Sequence, residues 1–243
     1  MTFHCLILGA GFATRLGDIA KGRPKALLPL GNSTILDQML LYVRSLPGIA
    51  EIALVTNSTF APQYESWNAT QSRPITLISN GVKRWEDMRG ANRDAWLAIE
   101  QLGWTHSDVL IMGCDNFIEE SLAPAAERFL QGTHSLVIAA DYGSKERVKR
   151  LAVPVIEQDG LISDMVEKPA EPKTTLGVPL VYFIKAQDLH HLEDLAALGK
   201  DNIGHLLERL CANKRLAGYV TKSEILDIGL PEDYAKAQAR CRT

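Results

Sequence analysis

The chain has 243 residues, 46% of them hydrophobic and 23% charged, with a formal net charge of −3. That length buries a large core and suits one domain over 1–243, and the slight acidic excess counts against a nucleic-acid binder. Four scattered cysteines without a Cys-x-x-Cys pair disfavour zinc and a disulfide framework, and an N-terminal apolar stretch too short for a leader or membrane span points to a cytoplasmic protein.

The run Phe3 to Leu8 has strand length and empties into Gly9-Ala10-Gly11-Phe12-Ala13-Thr14-Arg15-Leu16. Glycine lets the backbone approach a ligand closely, so Leu8, Gly9, Ala10, Gly11 and Thr14 are candidate nucleotide contacts. The same spacing also serves plain strand-to-helix turns. Neither the Walker form nor the dinucleotide form fits, because no Gly-Lys-Ser/Thr follows and Thr14 stands where a third glycine would be. Arg15 and, ten residues on, Lys25 carry two fixed positive charges toward one place, an arrangement suited to a triphosphate.

A helix follows, with Leu36, Met39, Leu40 and Val43 on one face, Asn32 or Ser33 as its cap and Pro47-Gly48 as its stop. Strands are expected at Glu51 to Thr56, Pro74 to Ser79 and Ser107 to Met112, with helices between them. This alternation predicts a doubly wound, Rossmann-like α/β fold with a mostly parallel sheet. A helix near Ser121 to Gln131 and a strand at Ser135 to Ala140 continue it. Strands at Ala152 to Ile156, Leu161 to Glu167 and Val178 to Ile184 then suggest a small strand-rich acceptor-binding subdomain, dividing the domain into 1–140 and 141–243. Two helices close the chain, one carrying Ile203, Leu206, Leu207 and Leu210 and one from Pro231 onward. In such sheets ligands bind beyond the carboxyl ends of the strands, so the loops after Leu8, Ser79 and Met112 should share a crevice.

Asp115 stands just past the fourth strand, where packing does not call for an acid, although loop capping is the plainer use. Asp227 ends another short apolar stretch. Two carboxylates brought together from separate strand ends are what a Mg²⁺ site needs, with phosphate oxygens and water completing the shell. Asn80-Gly81 is placed to read a base edge and Gly90 to let the base lie on backbone; a simple turn explains Asn-Gly equally well. Helix capping explains Asp201-Asn202 as well as an acceptor contact does. The six histidines show no ligand spacing, and His190 and His191 are expected on different sides of a helix.

Taken together, Gly9-x-Gly11-x-x-x-Arg15-Leu16, Pro24-Lys25, Asp115, Glu167-Lys168-Pro169 and Asp227-Ile228-Gly229-Leu230-Pro231 resemble, in order, the signature of the sugar-phosphate nucleotidyltransferases, in the short form without a β-helix extension. The resemblance implies that Asp115 and Asp227 share Mg²⁺, that Glu167 binds acceptor hydroxyls and that Lys168 binds the acceptor phosphate. It also implies that the charged segment Lys83 to Arg89 borders the nucleotide. On this reading Lys25 offsets charge at the α-phosphate and Arg15 holds the phosphates that leave. The partners are then a nucleoside triphosphate and a small phosphorylated acceptor, first a sugar 1-phosphate, with a homodimer left open. Ala152 and Leu180 stand where many sugar-specific members have glycine, which fills space beside the acceptor. Cytidylyl transfer to a small phosphonate or phosphorylated alcohol is therefore an alternative, and a non-catalytic nucleotide-sugar-binding subunit is another.

Overall fold

A computed structural model describes residues 1–241. Its centre is an eight-stranded sheet in which the first half of the chain supplies a parallel block: β1 (Phe3–Leu8), β2 (Ile49–Thr56), β3 (Thr76–Ser79) and β4 (Asp108–Gly113). β1 lies between β2 and β4, and Leu8 stands level with Gly113 across the β1–β4 ladder. The segments that leave these two strands, one toward the glycine loop and one toward Asp115, therefore start side by side.

The continuous apolar runs have the physical reason the sequence suggests: the sheet is covered on both faces. Phe3, Cys5 and Ile7 pack on one side with Leu36, Met39, Leu40 and Val43 of α1 (Ile35–Arg44), Tyr64 of α2 (Ala61–Asn68) and Phe129 of α4 (Ala123–Gln131). Leu6 faces the opposite layer, with Ala95 and Ile99 of α3 (Ala91–Gln101), Leu192 of α5 (His190–Ala197) and Leu206, Leu207 and Leu210 of α6 (Gly204–Ala212). The cap of α1 is Thr34, not Asn32 or Ser33. Its hydroxyl accepts from the Asp37 amide while Asp37 takes the Thr34 amide, a capping box that the neighbouring residues lack the spacing to make.

The second half of the chain feeds the same sheet. β6 (Ser135–Asp141) pairs antiparallel with both β9 (Leu176–Gly177) and β10 (Val181–Ile184), and β10 also pairs antiparallel with β4. A parallel strand absent from the sequence reading, β11 (Leu216–Val220), pairs with β6. β7 (Ala152–Ile156) and β8 (Ile162–Glu167) form a separate antiparallel ribbon. A second ribbon joins β5 (Asn116–Phe117) to β12 (Leu226–Asp227), ahead of α7 (Pro231–Arg240). The rings of His190 and His191 do not diverge: they lie 3.9 Å apart on α5, because His190 opens the helix and its Nδ1 lies 2.9 Å from the Gln187 carbonyl. Among the described residues no helix is long and apolar enough to cross a membrane.

Candidate active site

The two glycines of the first loop serve different ends. A Cβ on Gly9 would stand 3.0 Å from the Tyr64 hydroxyl and 3.3 Å from Leu54, so this glycine permits close packing of the strand end. A Cβ on Gly11 would meet nothing within 4 Å; its small size keeps space open at the crevice. The loop is pinned by a small apolar cluster in which Leu16, Leu28, Phe117, Leu226, Ile228 and Ala237 are buried together. Anchoring Leu16 leaves the adjacent Arg15 exposed to the crevice, and burying Leu226 and Ile228 turns Asp227, between them, the other way.

The ribbon of β5 and β12 sets Asp227 opposite Asn116, and the Ile228 amide donates to the Asp115 carbonyl at 2.9 Å. The two expected metal ligands thereby meet. Burial raises the Asp227 carboxyl, the negative charge of Asp115 raises it further, and together they push it up to about 7. Asp227 presents an exposed edge to the crevice, yet its carboxyl group is crowded by Asp115, and that crowding governs its proton affinity. Burial also opposes the charge of Asp115, but Lys25 wins there: its Nζ lies 2.5 Å from Asp115 Oδ2 and holds that carboxyl below the usual carboxylate range. Lys25 is itself held above the ordinary lysine value, the pull of Asp115 outweighing desolvation. A Cβ at Gly113 would come within 2.6 Å of Asp115 Oδ1, so only glycine leaves that carboxylate its place.

Above this pair opens a cavity of about 600 Å³. Leu8, Ala10, Gly11, Thr14, Arg15, Lys25, Gly90, Asp115 and Leu180 all contribute to its walls. Gly9 stands behind the wall. Asn80 is buried and does not line the cavity: its amide nitrogen donates 2.8 Å to Asp94 Oδ1 and its carbonyl accepts from Val82. Trp85, Glu86 and Met88 bring the charged segment to the cavity, with Trp85 58% exposed.

A second cavity of about 400 Å³ shares Arg15 and Gly229 with the first and reaches Asp227. Lys168 lines it, in a left-handed conformation (φ 50°) that a side chain rarely adopts, together with Arg147, Arg150 and Lys236. Glu167 is mostly buried; Asn202 donates 2.6 Å to its Oε1 and Lys168 Nζ lies 3.3 Å away. Ala152 is buried opposite Glu167 in the β7–β8 ribbon and lines neither cavity, whereas Leu180 gives its carbonyl to Gly113 and Asn116.

Of the further wall residues, Asp94 carries no signal in the sequence, whereas Asp201 stands out there as a helix cap or an acceptor contact. Asp94 sits in the first turn of α3 and Asp201 on a loop that reaches the same wall only through tertiary structure. Cys114 adjoins Asp115, its thiol pushed up to about 12 by burial and by that charge, so it is inert as a nucleophile. Among the described residues the other cluster able to hold an ion is His190, His191 and Asp194, and Asp194 is already paired with Arg209 at 3.0 Å.

The chain is 24% identical to the low-salt glycan biosynthesis nucleotidyltransferase Agl11 of Haloferax volcanii, covering 96% of this chain and 64% of that one. It is 21% identical to a glucose-1-phosphate adenylyltransferase of Thermomicrobium roseum, over 96% and 58% of the two. It therefore spans less than two thirds of the length of either. With the UTP–glucose-1-phosphate uridylyltransferase AglF of Haloferax volcanii it shares 23% identity over 98% of this chain and 96% of that one. The fold matches that of a UDP-glucose pyrophosphorylase solved with UDP-glucose, at a TM-score of 0.82 and 21% identity over 99% and 98% of the chains. The model of the Nucleotidyl transferase family matches residues 4–243, and with the motif order and the fold this establishes that the chain belongs to that family.

Proposed function

We propose that the chain is a Mg²⁺-dependent nucleotidyltransferase that moves a nucleoside monophosphate from a nucleoside triphosphate to a phosphorylated acceptor, a sugar 1-phosphate first, and releases pyrophosphate. The observation that carries this reading is the meeting of Asp115 and Asp227 beside Lys25 at the junction of two cavities. Relatives named for transfer to glucose 1-phosphate or mannose 1-phosphate support it.

The donor set fits a hard divalent cation. Two carboxylates supply oxygen ligands and leave room for phosphate oxygens and water. The raised proton affinity of Asp227 marks negative charge that one lysine does not balance. Bound there, the cation would supply positive charge and fixed ligand geometry at the α-phosphate.

The chain's own residues do the rest. The loop around Gly11 gives the triphosphate space, and Arg15, at the junction of the cavities, draws the departing phosphates. Lys25 moves from its partnership with Asp115 to share charge accumulating at the α-phosphate. Lys168 holds the acceptor phosphate, and Glu167, kept in place by Asn202, takes acceptor hydroxyls. No side chain need remove a proton, because a phosphate monoester is already an anion near neutral pH. The phosphate oxygen attacks the α-phosphorus, the bond to the bridging oxygen breaks and the electron pair leaves with pyrophosphate. Catalysis is alignment and charge stabilisation. The free cysteines suit a reducing compartment such as the cytoplasm.

A matrix of triphosphates against phosphorylated acceptors, read by pyrophosphate release, tests this. Release is expected only when triphosphate, Mg²⁺ and a matching acceptor are combined. Tight nucleotide-sugar binding with silence across the whole matrix would contradict it.

A further inference from the structure

The reaction proposed above does not use Asp94, yet this acid stands in the wall of the nucleotide cavity and is held there deliberately. Its Oδ1 accepts 2.8 Å from the Asn80 amide nitrogen, whose own carbonyl is fixed by the Val82 amide at 2.9 Å. Asn80 is engaged at both polar atoms and buried, so it positions a carboxylate rather than reading a ligand itself. Oδ2 of Asp94 has no hydrogen-bond partner among the described residues. The same wall carries Trp85 and Met88, 58% and 50% exposed, large apolar surfaces of the kind on which a base stacks. Gly90, at φ 87°, brings backbone against that wall; the cations that line the cavity, Arg15 and Lys25, lie on the glycine-loop side with Asp115, and Arg89, whose charge reaches Asp94, is not among the lining residues. The phosphates belong with the cations, which leaves the α3 wall for the base.

We infer that Asp94 reads the base of the triphosphate and selects guanine; the inference rests on the nucleotidyltransferase reading. An ionised carboxylate only accepts hydrogen bonds. Guanine presents two neighbouring donors on its pairing edge, N1–H and the N2 amino group, one for the free Oδ2 and one for the lone pair that Oδ1 keeps beside its bond from Asn80. Uracil and thymine present one N–H between two carbonyl oxygens, which a carboxylate repels. Cytosine and adenine each offer an amino group beside a bare ring nitrogen whose lone pair faces the acid. The order expected is therefore guanine first, cytosine and adenine next, and uracil and thymine last. Desolvation raises the Asp94 carboxyl, while the hydrogen bond from Asn80 and the charge of Arg89 act the other way and favour the ionised form.

The test is calorimetric binding of GTP, ITP, CTP, ATP, UTP and dTTP, each with Mg²⁺ and without acceptor, to the wild-type chain and to Asp94→Asn. The substitution keeps an oxygen for Asn80 and turns the free oxygen into a donor. GTP should bind about 10- to 100-fold more tightly than UTP or dTTP, the range for a well-placed bidentate pair. ITP, which lacks the N2 amino group, should lose most of that advantage. Asp94→Asn should weaken GTP by a similar factor and leave UTP equal or tighter, with its thermal midpoint checking that the fold is kept. A wild-type preference for UTP or dTTP, or an Asp94→Asn that weakens every nucleotide equally, would overturn the assignment while leaving the enzyme reading intact. If no triphosphate binds the wild type at all, the enzyme reading itself falls, and this inference with it.

Discussion

Asp227 is the residue on which charge, stability and activity meet. Burial and the neighbouring charge of Asp115 raise its carboxyl from 3.8 to about 7. A proton bound more tightly in the folded state than in the unfolded chain stabilises the fold below the unfolded value, and that stabilisation is lost as pH rises through the folded value. The metal-free protein should therefore lose stability between about pH 4 and pH 7 through this group. Asp227→Asn should flatten that loss, giving a higher thermal midpoint than wild type at pH 8, while lowering the rate on the order of 10²-fold or more. Thermal scans across pH and pyrophosphate release check the two halves. Lys25→Met should also cost on the order of 10²-fold in kcat, and it should raise the proton affinity of the carboxylate pair, since Asp115 loses its 2.5 Å partner. A pH profile of divalent-ion affinity reads that change: the affinity should rise with pH, and the rise should sit at higher pH in the variant.

At the scale of elements, one loop joins the wall of the first cavity to Glu167, the neighbour of Lys168 in the second. The Ala91 amide donates 2.7 Å to the Asp201 carbonyl, and the Asn92 side chain donates to the carbonyls of Lys200 and Asn202. The Asn202 side chain in turn holds Glu167, and the Gly204 amide bonds the Asn202 carbonyl oxygen of the side chain at 3.0 Å. Gly204 has no Cβ because Glu167 occupies that volume: a Cβ would fall 1.9 Å from its Oε2. Gly204→Ala should therefore displace Glu167 and raise the acceptor KM about 10-fold or more, with triphosphate affinity unchanged. At Gly90 a Cβ would meet the Asp201 Cα at 2.4 Å under a positive φ, so Gly90→Ala should cost about 1–3 kcal/mol in thermal or denaturant unfolding.

These contacts also mark where the sequence stops being readable. Phe3 to Leu8 and Val109 to Met112 announce themselves as buried strands by unbroken apolar runs, and Asp115 stands out because it follows one. β11 hides, because Gly218 interrupts it and its reason is tertiary: a Cβ there would strike Ile156 at 2.6 Å. Asp94 looks like an ordinary helix-surface acid until Asn80 is seen to hold it. Asp201 reaches the cavity only because α3 is capped by a loop more than a hundred residues away in the chain.

For the whole molecule, the sheet is the device that brings distant charges together. β10 runs antiparallel beside β4 and β6 beyond it resumes the direction of the parallel block, so the chain's second half is built onto the first along a shared edge. The apolar cluster of Leu16, Phe117, Leu226 and Ala237 then ties the glycine loop, the β5–β12 ribbon and α7 into one support under Arg15 and Asp227. The most direct measurement is anomalous diffraction from a crystal soaked with Mn²⁺ and a triphosphate. A manganese peak between Asp115 and Asp227, with the α-phosphate beside it and the triphosphate along the glycine loop, is the predicted result. A peak confined to another cluster, such as His190, His191 and Asp194, with the triphosphate away from Lys25, would contradict the account.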